Sequence, residues 1–332
     1  MEKQLTLEEI QQFKGKYPKQ LWLLFLTEMW ERFCFYGMRG ILTIFMVQQL
    51  LIDEKTANLQ YGAIQAFVYA FAFIGGLFAD KILGFRKSLY FGGLLMIAGN
   101  IIIALSPQQF FYIGICFSIV GTGFFKPNIS SMVGALYPEG DPRRDAGYGL
   151  FYSGINIGAF LGGVLMVYLG TEVSWSWAFG AAALVMALGL LTFIYTQTQL
   201  GPIGKSPLHA DFPSKKKSLY EIAVYIGALA SIPLILLLVS NTRYTDLFMY
   251  IIGPATLIYF TYELFRYKGN ERKKLVAALI FILFSIVFWA FFEQSGGSLS
   301  LFALNNLHHN LLGFNVNPNM VNNSSNTIFV IT

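Results

Sequence analysis

A chain of 332 residues with 55% hydrophobic and only 12% charged side chains falls well short of the roughly 25% charged residues of an ordinary soluble domain. It has too little polar surface to coat its own core, which excludes a soluble globular enzyme and points to an integral membrane protein. The net charge of +5 follows from where the cations fall along the chain, and no nucleic-acid surface is implied.

The first twenty residues, MEKQLTLEEIQQFKGKYPKQ, lack the short apolar core and small-residue cleavage site of a signal peptide. They read as a cytoplasmic lead. About twenty apolar residues cross about 30 Å of hydrocarbon, and nine such runs follow, near 21–51, 57–80, 87–105, 109–133, 147–170, 175–198, 219–240, 244–265 and 275–303. A tenth begins near Asn326 and stops at Thr332. A span cut after a few residues cannot satisfy its backbone in lipid, so the sequence is expected to be the front part of a longer protein. Open sheets are excluded on the same ground, and the ten-residue alternation of a membrane barrel does not appear.

Lys3, Lys14, Lys16 and Lys19 precede the first span, and Lys81, Arg86, Lys87, Arg143, Arg144, Lys205, Lys215–Lys217, Arg266, Lys268 and Arg272–Lys274 fall in every second loop. The alternate loops hold only Lys55 and Arg243. This bias places the amino terminus inside, in a multi-pass protein of the cytoplasmic (inner) membrane. Cys34 and Cys116 lie within apolar runs and read as small packing residues. His209, His308 and His309 are in loops, and no metal-ligand spacing, nucleotide loop or nucleophile motif stands out, so neither an enzyme nor a bound metal is expected.

The organisation is a lead (1–20), a six-helix bundle (21–198), a Pro-, Gly- and Lys-rich connector (199–218), two inserted helices poor in polar residues (219–265), and the beginning of a second bundle (266–332). Two bundles around a central site are a transporter layout. The stretch GGLFADKILGFRKSL, 75–89, with Asp80 and its basic cluster, resembles the cytoplasmic signature of the major facilitator superfamily. The fold class is therefore an all-α membrane protein of that type.

Chemistry concentrates at EMWERFCFYGMR, 28–39. An acid or guanidinium at the centre of a span costs about 2.5–3.5 kcal/mol on translocon scales. Glu28, Arg32, Tyr36 and Arg39 follow i, i+4, i+8 and i+11 spacing and share a stripe, with Glu31 beside it. Glu28, Glu31 and Arg32 can form a buried self-neutralising cluster that only fixes packing, but Arg39 is a further cation with no nearby sequence partner. Lys126 is the other intramembrane cation, followed by Pro127. It either faces a cavity or snorkels to the interface. Tyr152 and Asn156, at i and i+4, are either site residues or ordinary interhelical hydrogen-bonders.

EMWERFCFYGMRGIL matches an ExxERFxYYG motif, and 121–160 matches a long FKPN…DPRRDAG…FY…IN.GA signature. Together they resemble the proton-dependent oligopeptide transporter (peptide transporter) family, from YPKQLWLLFLTEMWERF through FWAFFEQ to the end of the chain. Phe35 departs from the pattern, standing where many members carry the first of two tyrosines.

The resemblance implies a proton-coupled symporter of di- and tripeptides, with protons as coupling ion, no cofactor, and the lipid bilayer as surroundings. Arg39 and Lys126 correspond to the cations that receive the peptide carboxylate, with Tyr36, Tyr69, Asn156, Trp289 and Asn326 as neighbouring contacts. Glu28, Glu31, Arg32 and Glu293 correspond to proton-coupling residues, the first three also to salt bridging with Lys126, and Asp80 and Tyr152 are expected to serve gating. The acid expected on a tenth core helix to hold the peptide amino terminus has no counterpart in these residues.

The physical logic agrees. A zwitterionic dipeptide cannot shed its hydration in lipid without polar replacements, and an arginine fork plus a lysine point charge suits one carboxylate. Glu293 among Phe288, Trp289, Phe291 and Phe292 favours its neutral form until Arg39 turns toward it. Carriage of another anion, such as nitrate or a peptide-like drug, is the close alternative within the family. A peptide-binding membrane receptor or channel is the alternative from another class, and the two-bundle layout and paired acids speak against it.

Overall fold

Proline and glycine punctuate the chain where its helices stop. Pro107 opens one helix at its first turn, where its missing N–H costs nothing, and Gly84, at φ +78°, makes the turn between two others. The structure, a computed structural model, describes residues 5–208, 213–311 and 313–331, so Lys3, His209 and Thr332 lie outside the described residues.

The first seven helices are α1 (Leu7–Gln11), α2 (Lys19–Gln48), α3 (Glu54–Phe78), α4 (Phe85–Leu105), α5 (Pro107–Ala135), α6 (Arg143–Tyr168) and α7 (Trp175–Thr196). They are followed by α8 (Ser214–Ala230), α9 (Ile232–Ser240), α10 (Thr242–Arg266), α11 (Gly269–Phe292), α12 (Ser298–Asn306) and α13 (Pro318–Ile331). Between α12 and α13 a two-residue hairpin, β1 (Asn310–Leu311) with β2 (Phe314–Asn315), pairs antiparallel.

Among the described residues, eight stretches are long and apolar enough to cross a membrane: 54–83, 85–105, 107–135, 143–173, 175–200, 214–240, 242–266 and 269–306. With α2 they correspond to the nine expected spans. At 30 residues α2 is also long enough, but Glu28, Glu31, Arg32 and Arg39 lower its hydropathy. It is nonetheless among the most enclosed helices, burying a continuous series from Thr27 to Met46 with few gaps. The charges therefore mark an interior position.

Two boundaries differ from those read in the sequence. The ninth span begins at Gly269 and is broken by a 3₁₀ turn at Glu293–Gly296. The final helix begins at Pro318, well before Asn326. The polar run NMVNNSSN hides this start from hydropathy, because Asn319, Asn322 and Asn323 bond to neighbouring backbone and a serine instead of facing lipid.

The bundle closes through glycine contacts. A Cβ on Gly92 would stand 2.5 Å from the Gly121 carbonyl oxygen, joining α4 to α5, and one on Gly158 would stand 3.1 Å from Arg32 Cβ, joining α6 to α2. Small residues permit this backbone approach in lipid. By contrast, α10 buries only Thr245 among its described residues, and α11 buries none. The bundle end where α2 begins is called the near end below, and the end carrying Gln48 and Glu54 the far end.

Candidate functional site

The 3.6-residue period of α2 carries its charges inward. Glu28, Glu31 and Arg32 are at most 2% exposed and Arg39 is 8% exposed. Arg32 Nε lies 3.1 Å from Glu28 Oε1 and closer still to Glu31 Oε2. One guanidinium thus serves two carboxylates, as their i+4 and i+1 spacing allows. Among the described residues, Glu28 Oε2, Glu31 Oε1 and Arg32 Nη2 have no hydrogen-bond partner. The cluster is buried and incompletely satisfied, a costly arrangement if packing were its only role.

Aromatic faces separate this cluster from the next two cations. The Phe35 ring lies 4.9 Å from Arg32 Cζ and 5.5 Å from Lys126 Nζ, and the Tyr69 ring lies 4.8 Å from Lys126 Nζ. Lys126 makes no ion pair within 4.0 Å among the described residues, and Arg32 is the cation that pairs with Glu28 and Glu31. Phe35 therefore serves two cations through its ring face, for which a tyrosine hydroxyl is not required. Tyr36 lies between guanidiniums, 6.0 Å from Arg32 Cζ and 5.8 Å from Arg39 Cζ.

One turn farther along α2, Arg39 reaches the broken helix. Its Nη2 lies 3.1 Å from Glu293 Oε2 and donates to Ser295 Oγ at 3.0 Å, while Nε donates to Tyr61 Oη at 2.8 Å. Tyr61 in turn donates to Glu293 Oε2 at 3.1 Å, and Tyr69 donates to Glu293 Oε1 at 3.4 Å. The 3₁₀ turn makes this possible by ending α11 at Phe292 and presenting Glu293 and Ser295 sideways. Gly296 keeps the turn against Tyr61, where an added Cβ would stand 2.7 Å from Tyr61 Cζ.

The same end is tied by further bonds between α2 or α3 and the later helices. Thr43 donates to the Gly296 carbonyl at 2.6 Å, Asn323 to the Gly40 carbonyl at 3.4 Å, and Asn305 to Glu54 Oε1 at 2.9 Å. A cavity of about 950 Å³ between α3, α10 and α11 has Tyr61, Tyr69, Trp289 and Glu293 in its wall. Trp289, 43% exposed, faces the Tyr69 ring at 6.1 Å.

Arg39, Lys126, Tyr36, Tyr69, Trp289 and Glu293 thus form one connected group, with Glu28, Glu31 and Arg32 adjoining it through Phe35 and Tyr36. Other expected residues stand apart. Asn156 is buried and donates within its own helix to the Tyr152 carbonyl at 2.9 Å, and Tyr152 is 52% exposed. Asn326 is exposed, while Asn322, one turn earlier, donates to the Ser295 carbonyl at 2.8 Å. Asp80 is exposed in a π-helical turn at the near end, in no ion pair among the described residues. Sequence reasoning missed Tyr61 and Ser295. Tyr61 shares the i, i+4, i+8 stripe of Gln65 and Tyr69, a pattern that could have marked it.

Among the described residues, no three His, Cys, Asp or Glu side chains are grouped to hold a metal ion. A family model described as POT family matches residues 86–332. The chain belongs to the POT family. Its relatives include dipeptide and tripeptide permease B of Xenorhabdus bovienii, 33% identical over 304 residues, covering 91% of this chain and 61% of the relative. Dipeptide and tripeptide permease A of Escherichia coli is 31% identical over 306 residues, with 91% and 60% covered. The chain thus spans about 60% of the length of these curated relatives.

Among solved structures, a peptide transporter POT in complex with sulfate superposes with a TM-score of 0.82 at 32% identity, over 98% of this chain and 70% of that one. A POT family transporter in complex with 5-aminolevulinic acid gives 0.83 at 30% identity, over 98% and 71%. The fold is that of the POT transporters, of major-facilitator type, and this POT chain is a multi-pass membrane protein.

Proposed function

We propose that this POT protein is a symporter that couples protons to the uptake of di- and tripeptides by alternating access. The observation that carries the reading is the contact of Arg39 on α2 with Glu293 in the turn that follows α11. A guanidinium held by a carboxylate is not free to receive a peptide carboxylate. Protonation of Glu293 removes the charge that holds it, so proton and peptide favour each other's binding, a reciprocal coupling. Lys126, held by rings and not by an acid, keeps a positive charge for the same carboxylate. The names of the permease relatives support the substrate class.

In this reading Glu28, Glu31 and Arg32 relay protons beside the site, and Tyr36, Tyr69, Asn156, Trp289 and Asn326 line the peptide path. Asp80 and Tyr152 act in gating toward the near end. The near end faces the cytoplasm of a bacterium, and the far end is closed by the Arg39, Thr43 and Asn323 bonds. A peptide-like drug is a second reading for the same site, favoured by the similarity to a POT variant in complex with alafosfalin, at TM-score 0.83 and 32% identity.

Uptake of labelled dialanine into proteoliposomes tests the proposal. Accumulation that requires an inward proton gradient and is competed by unlabelled dialanine is expected; equal uptake with and without the gradient would contradict it. Alafosfalin as competitor decides the second reading. Single cysteines at Ser214 and Asn310, in a background lacking Cys34 and Cys116, should react with an impermeant thiol reagent from opposite sides. Labelling of both from outside would overturn the orientation.

A further inference from the structure

The seam between the inserted helix α8 and the bundle has two chemically different parts. At the near end a recess of about 340 Å³ is lined by Arg86, Lys87, Lys205 and Lys217, with no acidic side chain in its wall among the described residues. Arg86 is fixed there by donating to the Ile203 and Gly201 carbonyls, both at 2.7 Å. Lys87 bonds both oxygens of Glu221 on α8, at 2.7 and 2.6 Å, pinning the helix beside the recess.

One turn deeper, an apolar crevice of about 440 Å³ runs between α8, α3 and α5. Along α8 it extends from Tyr220 to Ser231, the residue just past the helix end, about 16 Å at 1.5 Å per residue. That is about half of a 30 Å hydrocarbon core. The two parts share a wall: Ser206, which lines the recess, donates to the carbonyl of Ile82, which lines the crevice, at 2.7 Å. Tyr220, Ala223 and Gly227 leave the crevice open to the outside of the bundle.

We propose that an anionic phospholipid occupies this seam, with its phosphate in the basic recess and an acyl chain in the apolar crevice. Arg86, Lys205 and Lys217, gathered beside the Lys87–Glu221 pair at one end of an apolar slot one leaflet deep, complement an anionic amphiphile of that length, and basic pockets between membrane helices suit such headgroups. The lipid fills the gap between α8 and the bundle and fastens the inserted helices. The site is separate from the Arg39 and Glu293 cluster.

Native mass spectrometry of the complete protein, exchanged into mixed phosphatidylglycerol and phosphatidylcholine, tests the assignment. The protein should retain phosphatidylglycerol preferentially, and Lys205→Ala with Lys217→Ala should lower that preference by about fivefold per lysine. Gly227→Phe, at a position where an added Cβ meets nothing within 4 Å, should fill the crevice without disturbing the bundle and reduce retention of both lipids. Equal retention of the two lipids by the wild type, or an unchanged preference in the double variant, would overturn the proposal. Displacement of phosphatidylglycerol by equimolar glycerol phosphate would also overturn it, since the recess would then be a site for a free phosphate.

Discussion

Arg39 Nη2 on α2 lies 3.1 Å from Glu293 Oε2 in the turn that follows α11, and Tyr61 from α3 is bonded to both side chains. Two consecutive helices and a turn far later in the chain therefore meet at one charge pair, its arginine buried and its glutamate half-buried. Its competition with a substrate carboxylate is the centre of the proposed mechanism.

Substrate charge gives the first prediction. Amidating the carboxyl end of a dipeptide, or replacing Arg39 or Lys126 with Ala, should weaken binding by about ten- to a hundredfold, the loss of one charge-assisted hydrogen bond at about 1.5–3 kcal/mol. In Arg39→Ala the free and amidated peptides should bind more nearly alike. Equal inhibition of wild-type binding by both would remove these residues from the role.

Tyr61 gives the second. Tyr61→Phe removes the acceptor of Arg39 Nε and a donor to Glu293, and should cost about 1–3 kcal/mol of unfolding free energy. Because the hydroxyl and carboxylate share one network, the combined Tyr61→Phe and Glu293→Gln change should depart from additivity by at least about 0.5 kcal/mol. Equilibrium denaturation in detergent reads both values, and additive costs would show that the three side chains do not act as a unit.

At the near end, Arg143 holds the lead segment by donating to the Gly15 and Phe13 carbonyls at 2.9 and 3.3 Å, and it is itself gripped by Asp141 at 2.7 Å. Hydrogen bonds from Arg143 hold the Asp141 carboxyl below its ordinary value of 3.8. A depressed carboxyl contributes stability above its unfolded value and loses it as pH falls through the folded value. Docking of the lead should therefore be flat from pH 8 to 5. Tryptic cleavage at Lys14 and Lys16, taken at each pH relative to cleavage of an unstructured peptide because the protease's own histidine base titrates in this range, should show that flat profile and accelerate severalfold in Arg143→Ala; a change in the relative rate near neutral pH would contradict it.

The apolar runs made the long helices readable from sequence, since length and hydropathy are local properties. The stripe from Glu28 to Arg39 was equally plain, because four charges in a span need partners. That Arg32 pairs with both acids was legible in their i+4 and i+1 spacing. That Phe35 stands between Arg32 and Lys126 was not, since it depends on side-chain directions and helix packing that spacing does not fix. Tyr61 looked like an ordinary residue of an apolar segment, and the short polar run EQSGGS, 293–298, read as site residues within one span and not as a turn that ends a helix. The start of α13 was obscured for the opposite reason, its asparagines being polar yet engaged with neighbouring chain segments.

The most direct test of the account pairs two measurements on purified Glu293→Gln. Glutamine keeps the size and hydrogen-bonding capacity of the side chain but fixes it neutral, so Arg39 stays available to peptide while the site can no longer gain or lose a proton. Gradient-driven accumulation of labelled dialanine should collapse. Exchange of labelled for unlabelled peptide without a gradient, which needs only reorientation of the loaded carrier, should persist. Wild-type accumulation in the variant would place the proton elsewhere, with Glu28 or Glu31 the next candidates, and would contradict the role given to the Arg39–Glu293 pair. Loss of both activities in a well-folded variant would equally contradict it, making Glu293 a residue of binding or reorientation and not of coupling.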